Sequence, residues 1–202
     1  FADRPSPVSY PAWLGYLPAV GGLYIFIWLE LLSGTAAGPR ETAIGLILYY
    51  SFCLAGAAAF GAGTWFRLGD FLSVFYGLLA RLSIVERRDG RVYLRWPFVG
   101  TLSASSVHGS LAFFILLMLS STAFDGFRET AVWTRWMATL SEPGNNHQRL
   151  LVETAALIVS PCLFFLAYAA ALTAMKQIAS TPLSVAELAG RFALSLLPIA
   201  FA

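Results

Sequence analysis

Long apolar segments separated by short polar turns constrain this chain more than any other feature of its sequence. A bilayer crossing takes about 20 residues of α-helix. Only 12% of the residues are charged, which is about half the fraction typical of soluble domains. The sequence therefore predicts an all-α membrane protein with about five transmembrane helices. The apolar segments lie at about 13–33, 42–66, 105–124 and 151–175, and from about residue 186 onward.

The chain contains no repeat and no low-complexity linker, so we expect residues 1–202 to form a single transmembrane domain. Residue 1 is a phenylalanine, and the last apolar run, 192–202, is too short to cross a bilayer. We therefore expect the chain to be an internal piece of a longer protein.

Two segments are amphipathic rather than uniformly apolar, at 69–85 and 129–142. Apolar residues recur at helical spacing in both, which predicts two helices that lie at the membrane interface or dip partly inward. Between them, residues 86–96 alternate around Asp89-Gly90, a pair typical of type I′ turns, and this predicts a small β-hairpin outside the bilayer.

Basic residues are distributed unequally if successive loops alternate between the two sides of the membrane. Nine arginine or lysine residues then fall on one side and four on the other, which predicts that the first side, with the hairpin, is cytoplasmic. We expect four hairpin arginines to bind anionic lipid headgroups, with a cytoplasmic protein partner as the alternative. They are Arg87, Arg88, Arg91 and Arg95.

Three acidic residues are candidates for chemistry because carboxylates near lipid are costly to leave unpaired. Glu30 and Asp125 lie at the outer ends of the first and third predicted spans. If these helices are neighbours, the two carboxylates are candidate ligands for a divalent metal or could share a proton. The alternative is that each caps a helix, pairs with arginine or contacts water. We expect Asp70 to pair with Arg67 or to cap the following helix.

Other features of the sequence argue against several classes of function. His108 and His147 fall on opposite sides of the membrane in this topology, which argues against a metal site that contains both. Cys53 and Cys162 lie in apolar runs and are expected to be unpaired. Walker, GxSxG and HExxH motifs are absent from the sequence, and a net charge of +2 does not indicate nucleic-acid binding. Glu153 is expected to stabilise the start of its helix.

Four runs of the sequence carry a resemblance to a known family: residues 28–31 (WLEL), 63–100, 121–127 (STAFDGF) and 190–202. They resemble bacterial polytopic membrane proteins, many of which are labelled fenitrothion hydrolase. The resemblance implies an inner-membrane protein that hydrolyses small hydrophobic, organophosphate-like esters. Glu30, Asp70 and Asp125 fall within these runs and are the candidate catalytic positions.

Three function classes remain open from the sequence. The first is the membrane-embedded ester hydrolase that the resemblance implies. The second is a small-molecule transporter, in which Pro161 and the small residues of the second span would allow helix movement. The third is a non-catalytic membrane subunit that assembles with membrane or cytoplasmic protein partners.

Overall fold

The computed structural model describes residues 7–32, 38–88, 90–96, 108–140 and 145–201, apart from the side chains of Arg87 and Arg88. This part of the chain is mostly helical and contains one small β-sheet. The helices are α1 (Leu17–Leu31), α2 (Pro39–Phe60), α3 (Ala62–Leu68), α4 (Phe71–Leu82), α5 (Gly109–Arg128), α6 (Ala131–Leu140), α7 (Asn146–Ala179), α8 (Val185–Phe192) and α9 (Leu197–Ala200). The strands are β1 (Val85–Arg88) and β2 (Arg91–Leu94).

Helix α5 lies at the centre of the fold. Every residue from Phe114 to Met118 is buried, and Phe114 and Ile115 have no exposed surface. A helix that is apolar on all sides requires neighbours on all sides. These neighbours are α1, α7 and the C-terminal segment from α8 to α9.

Helix α1 runs parallel to α5 and is attached to it at both ends. The Tyr16 backbone N–H donates to Ser110 Oγ (2.8 Å), just inside the start of α5. At the other end, Arg128 Nη1 donates to the Leu31 carbonyl (3.0 Å). The two helices are therefore neighbours over nearly the full length of α5.

Helices α2 and α7 run in the opposite direction. The Val8 N–H donates to the Ala59 carbonyl (3.1 Å), so α2 ends beside the segment that leads into α1. Helix α7 begins near the end of α5 and follows it back, with Ser160 Oγ donating to the Ser120 carbonyl (3.3 Å). The four long elements thus alternate in direction.

The predicted second span, 42–66, matches α2 as far as Phe60 and is wrong only in its last residues, because the helix breaks at Gly61. This residue has φ +81° and ψ 137°, a conformation that glycine adopts at no steric cost. Helix α3 then folds back along α2, where the Trp65 ring meets Phe52 (5.1 Å between centroids) and stacks on Phe60 (5.9 Å). The close approach occurs at Gly56, whose Cα lies against the Trp65 indole.

Three described helices are long and apolar enough to cross a membrane: α2, α5 and α7. The other two predicted spans form shorter elements. Helix α1 has 15 residues, and the segment after residue 185 consists of α8, a 3-10 turn and α9. Helix α7 continues for 34 residues through the buried Pro161.

A capping box fixes the start of α8. Ser184 and Glu187 exchange hydrogen bonds between side chain and backbone. The hydrogen bond from the Ser184 backbone holds the pKa of Glu187 below its ordinary value. The C-terminal segment begins at this fixed point and then packs against α5.

The two predicted amphipathic helices exist as α4 and α6, but protein covers much of their apolar faces. Phe71, Val74 and Leu78 of α4 are buried in the core that includes α1. Trp133 and Met137 of α6 are buried, whereas Trp136 is 53% exposed. Neighbouring helices thus cover surfaces that the sequence analysis assigned to the lipid interface.

The predicted β-hairpin is present. Strands β1 and β2 pair antiparallel, with Val85 opposite Leu94 and Arg88 opposite Arg91. Gly90 has φ +77°, as a tight turn requires. Asp89, the other predicted turn residue, lies outside the described residues.

The contact between Gly56 and Trp65 predicts that Gly56→Ala destabilises the protein. The added Cβ would overlap the buried indole, and overpacking costs about 1–3 kcal/mol. The matched control is Gly45→Ala in the same helix, where nothing lies within 4 Å of the added atom. It should be neutral or stabilising by up to about 1 kcal/mol. Thermal unfolding of both purified variants in detergent measures the difference, and equal midpoints would contradict the close packing.

Candidate functional site

The three acidic candidates occupy different environments. Asp70 is buried, with 3% of its surface exposed. Glu30 is exposed at the end of α1, and the side chain of Asp125 is 55% exposed at the end of α5. Asp70 is therefore the candidate whose charge the protein itself has to stabilise.

Asp70 lies beside the middle of two long helices. It accepts hydrogen bonds from Tyr49 and Cys53, near the centre of α2. The next residue, Phe71, contacts Gly22 and Phe26, near the centre of α1. The fold-back of α3 along α2 produces this position, because it returns the chain from the end of α2 to its middle.

The Asp70 carboxylate accepts four hydrogen bonds. Oδ1 accepts from the Tyr49 hydroxyl (2.5 Å) and the Cys53 thiol (3.6 Å). Oδ2 accepts from the Ser73 backbone N–H (3.0 Å) and the Ser73 hydroxyl (2.5 Å). All four partners are donors, so the arrangement suits an ionised carboxylate.

Asp70 also interrupts a helix. Only Gly69 and Asp70 separate α3 from α4, and both backbone N–H groups donate to the Trp65 carbonyl. Asp70 is the N-cap of α4, as one of the two sequence predictions stated. The alternative, a pair with Arg67, is not formed, because the carboxylate is occupied by Tyr49, Cys53 and Ser73.

This cluster, consisting of Asp70, Tyr49, Cys53 and Ser73, supports two kinds of chemistry. A buried carboxylate surrounded by hydroxyl and thiol groups can exchange a proton with its neighbours. The same carboxylate can act as a base towards a hydroxyl or thiol nucleophile. The spacing of residues in the sequence did not identify Tyr49 and Cys53 as site residues. They meet Asp70 only because the chain turns at Gly61 and α3 runs back along α2.

A second polar cluster joins α5 to α7, and the sequence analysis did not foresee it. Glu153 is 4% exposed. Its carboxylate pairs with Arg128 (3.5 Å) and with Arg149 (3.0 Å). The expectation that Glu153 stabilises the start of its helix was wrong, because α7 begins at Asn146 and has no acidic residue in its first turn. Two arginines compensate the charge of Glu153 instead.

Arg128 also lies at the predicted metal site. Asp125 lies 3.9 Å from Arg128, which also binds the Leu31 carbonyl next to Glu30. A cation thus already occupies the junction between the ends of α1 and α5. Among the described residues, no group of three or more His, Cys, Asp or Glu side chains could hold a metal ion.

The two histidines lie at opposite ends of the bundle. His108 caps α5, where its Nδ1 lies 2.6 Å from Ser110 Oγ and accepts from the Ser110 N–H. His147 lies in the first turn of α7, near the other end of α5. Cys53 and Cys162 are both free thiols, the first buried and the second exposed.

Arg95 has a role other than the predicted headgroup contact. Its guanidinium donates to the carbonyls of Ser83 (2.9 Å), Ala80 (3.0 Å) and Arg81 (3.2 Å), at the end of α4. It also pairs with Glu86 (3.3 Å). Arg95 therefore fixes the hairpin to α4, because the unpaired carbonyls of a helix end attract a cation.

Fold and site together define a helical protein with three helices of membrane-crossing length and a buried carboxylate at an interrupted helix. No family model, curated protein or solved structure was found that matches the chain.

The buried pair predicts that Arg128→Met destabilises the protein by up to about 3 kcal/mol, because the buried Glu153 carboxylate then keeps only the exposed Arg149 as a partner. Arg149→Met is the control, since Arg149 is 60% exposed and such pairs contribute about 1 kcal/mol or less. The double variant Arg128→Met/Glu153→Leu should recover much of the loss. Denaturant unfolding in detergent provides the three values. If Arg128→Met and Arg149→Met lower the free energy of unfolding by the same amount, the buried pair of Arg128 and Glu153 does not stabilise the protein more than the exposed pair does.

Proposed function

We propose that the chain is an integral membrane protein in which α2, α5 and α7 cross the bilayer and the shorter α1 lies within it, parallel to α5. The supporting observation is the exposed apolar surface of α2 and α7. Only 11% of the most apolar part of α2 and 17% of that of α7 are buried within the protein. Water would penalise such surfaces, whereas lipid would not.

The alternating helix directions support a defined topology. The starts of α1 and α5 and the ends of α2 and α7 share one side. The sequence analysis assigns most of the basic residues to the same side. This side would be the cytoplasmic side of a bacterial inner membrane. The orientation itself rests on the unequal arginine count and stays a prediction.

Asp70 is the proposed functional centre. In a bilayer crossed by α2, the carboxylate beside the centre of this helix would lie near the middle of the hydrocarbon layer, where ionisable residues commonly mark proton or substrate pathways. Interrupted helices at this depth are typical of secondary transporters. The function that this geometry supports best is small-molecule transport coupled to protonation of Asp70.

Ester hydrolysis is the second candidate, and one observation favours it. The Ser73 hydroxyl and the Cys53 thiol both donate to Asp70, so each could act as a nucleophile with Asp70 as the base. This is the activity that the family resemblance implies. Its substrate would have to reach the cluster from the lipid phase, because Asp70 is buried.

Membrane insertion predicts the reactivity of Cys162 in native membranes. Cys162 is exposed at the midpoint of α7, so lipid should shield it from a water-soluble maleimide until detergent is added. In a Cys162→Ser background, His147→Cys and Ile178→Cys at the two ends of α7 should react from opposite sides. Gel-shift labelling with an impermeant maleimide measures all three. Rapid labelling of Cys162 in intact membranes would reject the crossing.

Protonation of Asp70 predicts reaction with dicyclohexylcarbodiimide, an apolar reagent that adds to protonated carboxyl groups in the lipid phase. The adduct at Asp70 should increase as the pH is lowered and should be absent from Asp70→Asn. Tyr49→Phe should react faster, since it removes a donor that stabilises the ionised form. Peptide mass spectrometry locates the adduct.

The same experiment separates the functional alternatives. For the hydrolase, Ser73→Ala or Cys53→Ala should abolish cleavage of a fluorogenic organophosphate ester and keep the Asp70 adduct. For the transporter, the adduct should block proton-driven uptake into proteoliposomes. A membrane-inserted protein without any adduct would leave Asp70 as a structural cap and favour the assembly subunit.

A further inference from the structure

The β-hairpin presents an apolar face that is exposed within the part of the chain that the structure describes. Side chains alternate along β2, so Val92, Leu94 and Trp96 share one face. They are 68%, 81% and 82% exposed, respectively. Val85, opposite Leu94, is 48% exposed on the same face.

The other face of the hairpin is turned towards α4. Arg95 lies on it and donates to the carbonyls at the end of α4, while its backbone N–H donates to the Ile84 carbonyl (2.8 Å). The hairpin is therefore held in one orientation relative to α4. Its apolar face points away from the helix as a fixed feature.

The position of α4 places this face at a membrane surface. Helix α4 begins at Asp70, which the proposed function puts near the middle of the bilayer, and it has 12 residues. Such a helix rises about 18 Å, and half of the hydrocarbon layer is about 15 Å thick. With its axis along that of α1, against which it packs, α4 would bring the hairpin to the level of the lipid headgroups.

The charge of the segment identifies the surface that it fits. Residues 81–96 contain five arginines and two acidic residues, for a net charge of 5 − 2 = +3. Arg95 and Glu86 neutralise one another, and Arg91 is exposed. Exposed aliphatic and Trp side chains next to excess arginine match an anionic headgroup layer above hydrocarbon.

We propose that the face formed by Val85, Val92, Leu94 and Trp96 inserts into the anionic headgroup layer of the bilayer that the chain itself crosses. The inference rests on the proposed membrane insertion and deepens it. The apolar face supplies the insertion, and the arginines of the hairpin other than Arg95 select anionic lipid. Arg95 instead holds the hairpin against α4.

A probe at Leu94→Cys tests the insertion, with Tyr93→Cys as the matched control. Tyr93 is 49% exposed but lies on the opposite face. The background is Cys162→Ser, in which the remaining Cys53 is buried. The full chain carries an NBD fluorophore at either position in nanodiscs of phosphatidylcholine, alone or mixed with phosphatidylglycerol.

The Leu94→Cys probe should be shielded from iodide in the mixed nanodiscs, and the Tyr93→Cys probe should stay quenchable. Arg91 shares the face of Tyr93, so its charge acts on the anionic surface over a distance. Arg91→Gln should therefore raise the exposed fraction of the Leu94→Cys probe by up to about five-fold, the full effect of one arginine close to an anionic surface. Equal quenching at both positions would overturn the proposal. Shielding of the Leu94→Cys probe in detergent that increases with protein concentration would also overturn the proposal, because it would indicate that a second copy of the chain covers this face. Labelling of Cys162 tests the membrane crossing independently. A failure of the hairpin insertion can therefore be distinguished from a failure of the membrane crossing.

Discussion

The burial of the middle of α5 on all sides is the constraint on which the rest of the structure depends. Its apolar residues from Leu111 to Met118 leave no polar face, so other helices have to surround it. Helix α1 follows it in parallel, α7 follows it in reverse, and the C-terminal segment closes the remaining side. In lipid, van der Waals packing and a few hydrogen bonds would hold this arrangement, since lipid tails are as apolar as leucine.

Polar groups mark the two ends of this packing and its middle. Ser110 and His108 join the starts of α1 and α5. Arg128 joins their other ends to α7 through Glu153. Between these ends, Asp70 joins α2 to α4. Asp70 is thus the N-cap of α4 and also the only buried residue among the three acidic candidates.

Local sequence signals predicted the local structure well. Gly90 forms the predicted hairpin turn, and Asp70 caps α4, because both depend on a few adjacent residues. The pairing of Arg128 with Glu153 was not predictable, since 25 positions separate them and only the reversal between α5 and α7 brings them together. The meeting of Asp70 with Tyr49 likewise depends on a single positive φ at Gly61. The hydrolase resemblance stays a prediction.

The length of α7 has a consequence for the choice of membrane. Residues 154–175 form an uncharged stretch of 22 residues, which rises about 33 Å and matches a hydrocarbon layer of about 30 Å. Glu153 stands directly outside this stretch. A thicker bilayer would therefore draw the ion pair of Arg128 and Glu153 into hydrocarbon, and a thinner one would strand apolar turns among the headgroups. Hydrophobic mismatch of this kind sorts proteins between membranes of different thickness, so the proposed crossing of α7 would favour a bilayer whose hydrocarbon layer is about 30 Å thick.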